Sequence, residues 1–337
     1  MIEGLLGTGG VGAVYLVRDR RVKENLFALK EVIDPDKRDR ERFVFEGEVL
    51  KRLDHQALPR VYRVFEHDKL KRVYMLMDFI AGKNLETLRQ EQPERRFSLP
   101  LALTLMAPVV DALIYLHHQD PPIVHRDIKP ANIIVPIGAD EAMLVDFGSA
   151  KEYVANETTA LTHRSPGYAA PEQYGTGTTP RTDIYGLGAT FYTLLTGRVL
   201  VDAISRIMKS KGVDPLNLAN LLAPAVPPTV AQALQRALSI SSADRYESIE
   251  EFWQDLNAHA TEQPVQIPRV TSADTPQPLA DPPRSRKRVL LIPIFLTLLF
   301  ATALGIGFFS HAWWLTILLL LCIGALLLAP LLFLRWR

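Results

Sequence analysis

Cysteine is almost missing. Cys322 is the only one in 337 residues, so no intramolecular disulfide and no cysteine-based metal site can form, and a reducing compartment fits best. Neither sign of charge dominates. Lys plus Arg number 38 against 37 for Asp plus Glu, which gives no basic footprint for nucleic acid and no acidic tail. A charged fraction of 22% alongside 48% apolar residues excludes disorder as the main state and leaves room for one large domain or two smaller ones. The chain opens without the charged-then-apolar pattern of a secretory leader, Met1 to Leu6 being far too short, and the start is expected to stay in the cytoplasm. No internal repeat is visible.

The most telling absence is local. Residues 289–309 and 312–334 contain no Asp, Glu, Lys or Arg, and each stretch meets the length of a bilayer-spanning helix. One continuous helix over both would run about 69 Å at ~1.5 Å per residue, more than twice the ~30 Å hydrocarbon core, so the pattern predicts a hairpin broken at Ser310-His311. Trp313 and Trp314 then sit at interfacial depth. Basic residues flank both ends, Arg284, Arg286, Lys287 and Arg288 before and Arg335 and Arg337 after, while the turn has none. By the positive-inside rule both termini face the cytoplasm, and a multi-pass protein of the plasma membrane, in contact with lipid, is expected. Before the hairpin, residues 261–288 carry Pro264, Pro268, Pro276, Pro278, Pro282 and Pro283 among small polar residues, a composition that reads as an extended juxtamembrane linker with a basic end.

What is present lies ahead of that linker. "GTGGVGAVY" fits G-x-G-x-x-G-x-V between two strand-like segments, where glycines let backbone close over phosphates. Taken alone it is also compatible with a plain turn or a dinucleotide-binding loop, although the β-branched and aromatic "AVYLVRD" that follows favours a hairpin over a helix. "FALKEV" places Lys30 on the next strand, Leu26 to Val32. In isolation it would read as a solvated edge lysine. A helix is expected over residues 39–53. With 3.6 residues per turn Glu46 lies about 40° from Leu50 on its wheel and Glu48 about 160°, so Glu46 faces inward and needs a cation, for which Lys30 is the candidate. "VYMLMDFIAG" reads as a buried strand running into a link, with helices over 85–90 and 99–118 after it. "IVHRDIKPANIIV" then holds Asp127, Lys129 and Asn132 between two apolar runs, and in "AMLVDFGSA" Asp146 ends an apolar strand, either as a turn residue or as part of a site.

"GTGGVGAV", "FALK", "HRDIKPAN", "DFG" and "AAPE" occur in the order and spacing of the protein-kinase family, and over roughly residues 1–256 the chain resembles bacterial, membrane-anchored members of the eukaryotic-type (Hanks-type) serine/threonine kinases. The resemblance implies an α+β, two-lobed protein-kinase-like fold, a small antiparallel β-sheet lobe (about 1–77) and a larger helical lobe (about 82–256) within a domain of 1–260; the transmembrane helical hairpin expected after it lies outside the resemblance and rests on hydropathy alone. The resemblance also implies ATP and magnesium, or manganese in its place, protein substrates bearing Ser or Thr, and transfer of the γ-phosphate to their hydroxyls.

The site residues carry over one by one. Gly7, Thr8, Gly9, Gly10 and Gly12 would cover the phosphates, Lys30 would hold them with Glu46 as its partner, and Asn132 and Asp146 would bind the metal. Asp127 would take the acceptor proton and Lys129 would reach the γ-phosphate. Val14 and Ala28 above and Ile134 below would enclose adenine, with Met77 at the back and Asp78 to Ile80 as the hinge. Leu50, Val61, His125 and Phe147 would stack as an internal apolar column, Glu172 would pair with Arg245, and Asp183 would brace the catalytic loop. A phosphate on Thr159 or Thr162 would dock on Arg126 and order the segment 149–172, which makes autophosphorylation the expected regulation.

Two departures stand out. Only Met1 to Leu6 precede the glycine loop, which predicts either a weakened roof or a start lying further upstream, and Ser165 replaces the usual Thr in the substrate-facing loop. Two other functions remain to be separated: a kinase-like nucleotide-binding scaffold without phosphotransfer, and a small-molecule kinase. A homodimer through the hairpin is a further expectation. The enzymatic reading requires Lys30 and Asp146, distant in sequence, to meet.

Overall fold

The computed structural model describes residues 1–258 apart from 10–11, 21, 23–24, 34, 36, 140, 148–149, 154–164, 176 and 210–213. The proline-rich linker and both expected membrane spans lie outside the described residues.

Five antiparallel strands open the chain: β1 (Ile2–Gly9), β2 (Gly12–Arg18), β3 (Leu26–Ile33), β4 (Val61–His67) and β5 (Arg72–Asp78), in the order β1-β2-β3-β5-β4. The brief lead-in before the glycines still forms a full strand, paired with β2 from Ile2 to Gly9 through two register irregularities. Between β3 and β4 runs helix α1 (Lys37–Leu50), three residues shorter at its C-terminal end than its apolar period suggests. Leu53 remains buried, but Arg52 and Leu53 donate to the carbonyls of Val49 and Leu50, so the chain tightens into a turn that carries the inward period beyond the helix. The helix lies directly on β4. A Cβ at Gly47 would come within 2.2 Å of Val64 Cγ2, so only glycine permits this approach.

After Asp78 the chain crosses into the helical lobe. A three-stranded sheet of β6 (Gly82–Asn84), β8 (Ile133–Pro136) and β9 (Met143–Leu144) and the pair β7 (Ile123–Val124) and β10 (Lys151–Glu152) lie at its edge. The helices are α2 (Leu85–Glu91), α3 (Leu99–His117), α4 (Pro180–Thr196), α5 (Ala203–Lys209), α6 (Ala219–Leu222), α7 (Pro228–Ala237) and α8 (Ile249–Asn257). Helix α3 starts where Ser98 caps the Leu101 N–H and is long and apolar enough for a membrane span, yet its apolar residues are buried against α4 and α8, as expected of a core helix. Helix α4 is buried from Thr182 to Thr196 and forms the axis of the lobe. Three of its threonines are satisfied within it: Thr190, Thr193 and Thr196 donate to the carbonyls of Gly186, Ala189 and Tyr192 at 2.9, 2.9 and 2.7 Å, which is how hydroxyls are tolerated in a dry helix.

Candidate active site

The loop between β7 and β8 is held at both ends by buried strands and turned by a 3₁₀ segment, Pro130–Asn132. Within it, Asp127 is the hub. Lys129 Nζ donates to its Oδ2 at 2.8 Å, Asn132 Nδ2 donates to the same oxygen and to the Asp127 carbonyl at 2.9 Å each, and Ser165 Oγ donates to Oδ1 at 2.6 Å. Lys129 Nζ also reaches Ser165 Oγ at 2.7 Å, closing a ring of acid, cation and hydroxyl. Since Asn132 turns its Nδ2 toward Asp127, amide geometry puts its oxygen on the opposite edge.

A buried carboxylate fixes the backbone of this loop. Asp183, near the start of α4, accepts the N–H groups of His125 and Arg126 at 2.8 and 2.7 Å and contacts His117 Nε2 at 2.9 Å. Burial alone would raise its pKa, but the hydrogen bond and charge of His117 and the Arg126 N–H outweigh that and hold it below the usual carboxylate value. Arg126 adopts the left-handed conformation (φ 67°), and Gln173 Nε2 caps its carbonyl at 2.9 Å while Gln173 Oε1 accepts the Ala170 N–H. Such strain in a non-glycine residue persists only where its surroundings impose it. Asp183 and Gln173 are that constraint.

Across the cleft, Lys30 Nζ on β3 meets Asp146 Oδ1 at 2.9 Å, joining residues 116 positions apart in the chain. Asp146 also has positive φ (64°), while Phe147 turns inward, buried, with its ring edge-on to His125 at 4.9 Å. Leu50, Val61 and Phe147 belong to one apolar core with His125 buried beside it, and burial depresses the pKa of that imidazole, keeping it neutral. The side chain of Glu46 lies outside the described residues, as do Gly10, Gly148, Thr159 and Thr162.

The roof of the cleft is β1 and β2. Gly7, Thr8 and Gly9 are on β1, and Gly12 packs so closely on β3 that a Cβ would fall 1.8 Å from the Glu31 carbonyl oxygen. Ala28 is buried, Val14 and Ile134 are half-buried, and Met77 packs against the core at the end of β5, followed by Asp78 and Ile80. At the far side Glu172 and Arg245 form a two-point ion pair at 2.7 and 2.8 Å, extended by Thr182 Oγ1 to Glu172 at 2.9 Å.

The donor set suits a hard dication. Asp146 offers a half-exposed carboxylate and Asn132 an amide oxygen, and among the described residues no cluster of three or more His, Cys, Asp or Glu makes a dedicated cage. Magnesium is usually held this way, by one or two protein oxygens completed by phosphate and water. The structure brings Lys30 to Asp146 and gathers Lys129 and Asn132 on Asp127, as the sequence led one to expect, and adds contacts of His117, Gln173 and Ser165 that the sequence did not announce. His117 ends an apolar helix and Gln173 follows the "APE" segment, so neither carries a local signature.

The protein kinase domain family's sequence profile matches residues 1–253, and the chain belongs to that family. It is 36% identical over 208 residues to the serine/threonine-protein kinase PknJ of Mycobacterium tuberculosis, an alignment covering 58% of this chain and 33% of PknJ. To the serine/threonine-protein kinase PrkC of Bacillus subtilis it is 31% identical over 265 residues, 75% of this chain and 39% of PrkC. The chain therefore spans about a third to two fifths of the length of these relatives. The crystal structure of the Mycobacterium tuberculosis PknI kinase domain matches with a TM-score of 0.61 at 27% identity, covering 77% of this chain and 96% of that one. The apo form of PpkA-294 matches with 0.62 at 28%, covering 76% and 95%.

Proposed function

We propose that this chain is an ATP-dependent serine/threonine protein kinase, anchored at the inner face of the membrane and regulated by autophosphorylation of its activation segment. The observation that carries the reading is the convergence of Lys30 on Asp146 at 2.9 Å beside a loop in which Asp127 faces a hydroxyl and a cation.

Phosphoryl transfer needs an aligned acceptor, a place for its proton and compensation of spreading negative charge. The acceptor oxygen forms a bond to the γ-phosphorus as the bond from that phosphorus to the bridging oxygen breaks, ADP carries away the electron pair, and the acceptor proton passes to Asp127. Asp127 Oδ1 accepts from the Ser165 hydroxyl at 2.6 Å, so this carboxylate is aimed at hydroxyl donors. Lys129 holds Oδ2 and is placed to compensate charge on the moving group. Lys30 would hold the phosphates. Asp146 and Asn132 would hold magnesium, which when bound supplies neutralisation of the phosphate oxygens.

Membrane anchoring rests on the charge-free stretches 289–309 and 312–334, and regulation on Thr159 and Thr162 in a segment following the buried Arg126. Incubation of the purified chain with γ-labelled ATP, magnesium and a generic basic protein tests the central proposal. Label on serine or threonine, absent with Asp127→Asn, supports it. Nucleotide uptake without transfer supports the scaffold reading instead, and peptide mapping that finds no phosphate within 149–172 refutes the regulatory part.

A further inference from the structure

Strand β4 contains one residue too many for its partner. Val61 pairs with Met77 and Arg63 with Leu76, so two residues on β4 oppose one on β5 and Tyr62 is the extra residue of a β-bulge. Bulges redirect side chains and gather near active sites. Here the bulge lets consecutive residues diverge: Val61 points into the apolar column beside Met77, whereas Tyr62 is 46% exposed on the outer surface.

That exposed tyrosine is not idle. Its hydroxyl donates to Asp78 Oδ1 at 2.7 Å, and its ring stands edge-on to Phe27 at 5.3 Å, the residue paired with Asp78 across β3 and β5. Asp78 is the last residue of β5 before the chain leaves the sheet. Its second oxygen accepts the Arg60 N–H at 2.9 Å and its own N–H donates to the Arg60 carbonyl at 3.0 Å. Three hydrogen bonds thus tie the first residue of the crossing back to the two residues flanking Val61. The hydroxyl keeps its proton, since the Asp78 hydrogen bond and burial raise the Tyr62 pKa.

We propose that Tyr62 is a positioning residue for nucleotide binding, acting through the Asp78 carboxylate to fix both the exit of the crossing segment, whose backbone would receive the adenine, and the inward aim of Val61 against Met77. This inference rests on the kinase reading and adds to it a determinant outside the cleft. Without the clamp the bulge can relax, Asp78 swings free, and the backbone of residues 78–80 samples positions that fit the base less well. The cost falls on nucleotide affinity rather than on the transfer step, because no reacting atom is touched.

The test is calorimetric titration of the full-length chain with ADP and magnesium, alongside steady-state kinetics, for wild type, Tyr62→Phe, Asp78→Asn and the double variant. Tyr62→Phe keeps the ring and removes one hydroxyl. It is expected to weaken ADP and raise the KM for ATP by about three- to tenfold, with kcat held within about twofold and the melting temperature within about 2 °C. The double variant is expected to bind no more weakly than the worse single one, as for two members of one contact. Tyr62→Phe binding ADP as tightly as wild type overturns the inference, as do additive losses or an affinity loss that tracks melting temperature. A wild type that binds no nucleotide overturns the kinase reading together with this one, which distinguishes that failure from a fault in the clamp alone.

Discussion

Asp127 is fully engaged before any substrate arrives: Ser165 on one oxygen, Lys129 and Asn132 on the other. Removing its charge should spare nucleotide binding while lowering kcat by about 10²–10⁴-fold in Asp127→Asn, the range a general base supplies, as single-turnover phosphotransfer would show. Ser165→Ala should lower kcat about tenfold and Ser165→Thr should restore it, since only the hydroxyl is used. Two buried groups contribute to the acid side of stability. His125 is kept neutral by burial with a folded pKa below its ordinary 6.5, so below about pH 6.5 the unfolded chain binds a proton the folded one refuses, and stability falls as pH drops toward the depressed value. Asp183, held below its ordinary 3.8, contributes stability that is present above that value and lost only beneath it. Thermal melts from pH 7 to 5 should therefore be flatter for His125→Gln than for wild type, and parallel curves would contradict the assignment. Asp127, Lys129, Asn132, Lys30 and Asp146 were legible because fixed short spacings carry them. The Ser165, His117 and Gln173 contacts were not, because each depends on where distant chain returns.

Helices and strands repeat this division between local and returning signals. Alternation and glycine placement announce β2 and β3, and the apolar runs of α3 give its limits to within a residue, because burial on one partner or all round leaves a periodic record. The end of α1 was misjudged because Leu53 keeps the helical period while the turn carries it, and the bulge at Tyr62 is silent because an extra residue in a short strand leaves the composition unchanged. The 3₁₀ turn Pro171–Tyr174 is locked to the segment before α8 by Glu172 and Arg245, both almost wholly buried. Glu172→Ala or Arg245→Ala strands a buried charge and should cost about 3–5 kcal/mol in urea unfolding, whereas replacing both with apolar residues of similar size should recover much of it. Equal losses in the single and double variants would show that the pair itself, not the stranded charge, sets the cost.

The folded region places a sheet lobe over a helical lobe, and the candidate site residues lie where they meet, Lys30 contributed by the first and Asp127, Asn132 and Asp146 by the second. Beyond it the sequence, not the described structure, argues for a tether and two membrane spans. On that proposal the full chain should sediment with membranes and resist high-salt extraction, and the segment 1–260 should remain in the supernatant; equal partitioning would remove the anchor from the account. The central claim, that these charges converge on a magnesium-bound nucleotide, is met most directly by equilibrium dialysis of ATP at graded magnesium with wild type and Asp146→Ala. Magnesium should tighten nucleotide binding to wild type and leave Asp146→Ala nearly unresponsive, the two proteins agreeing when magnesium is withheld. Identical curves at every magnesium concentration, or no nucleotide bound to wild type at all, would contradict it.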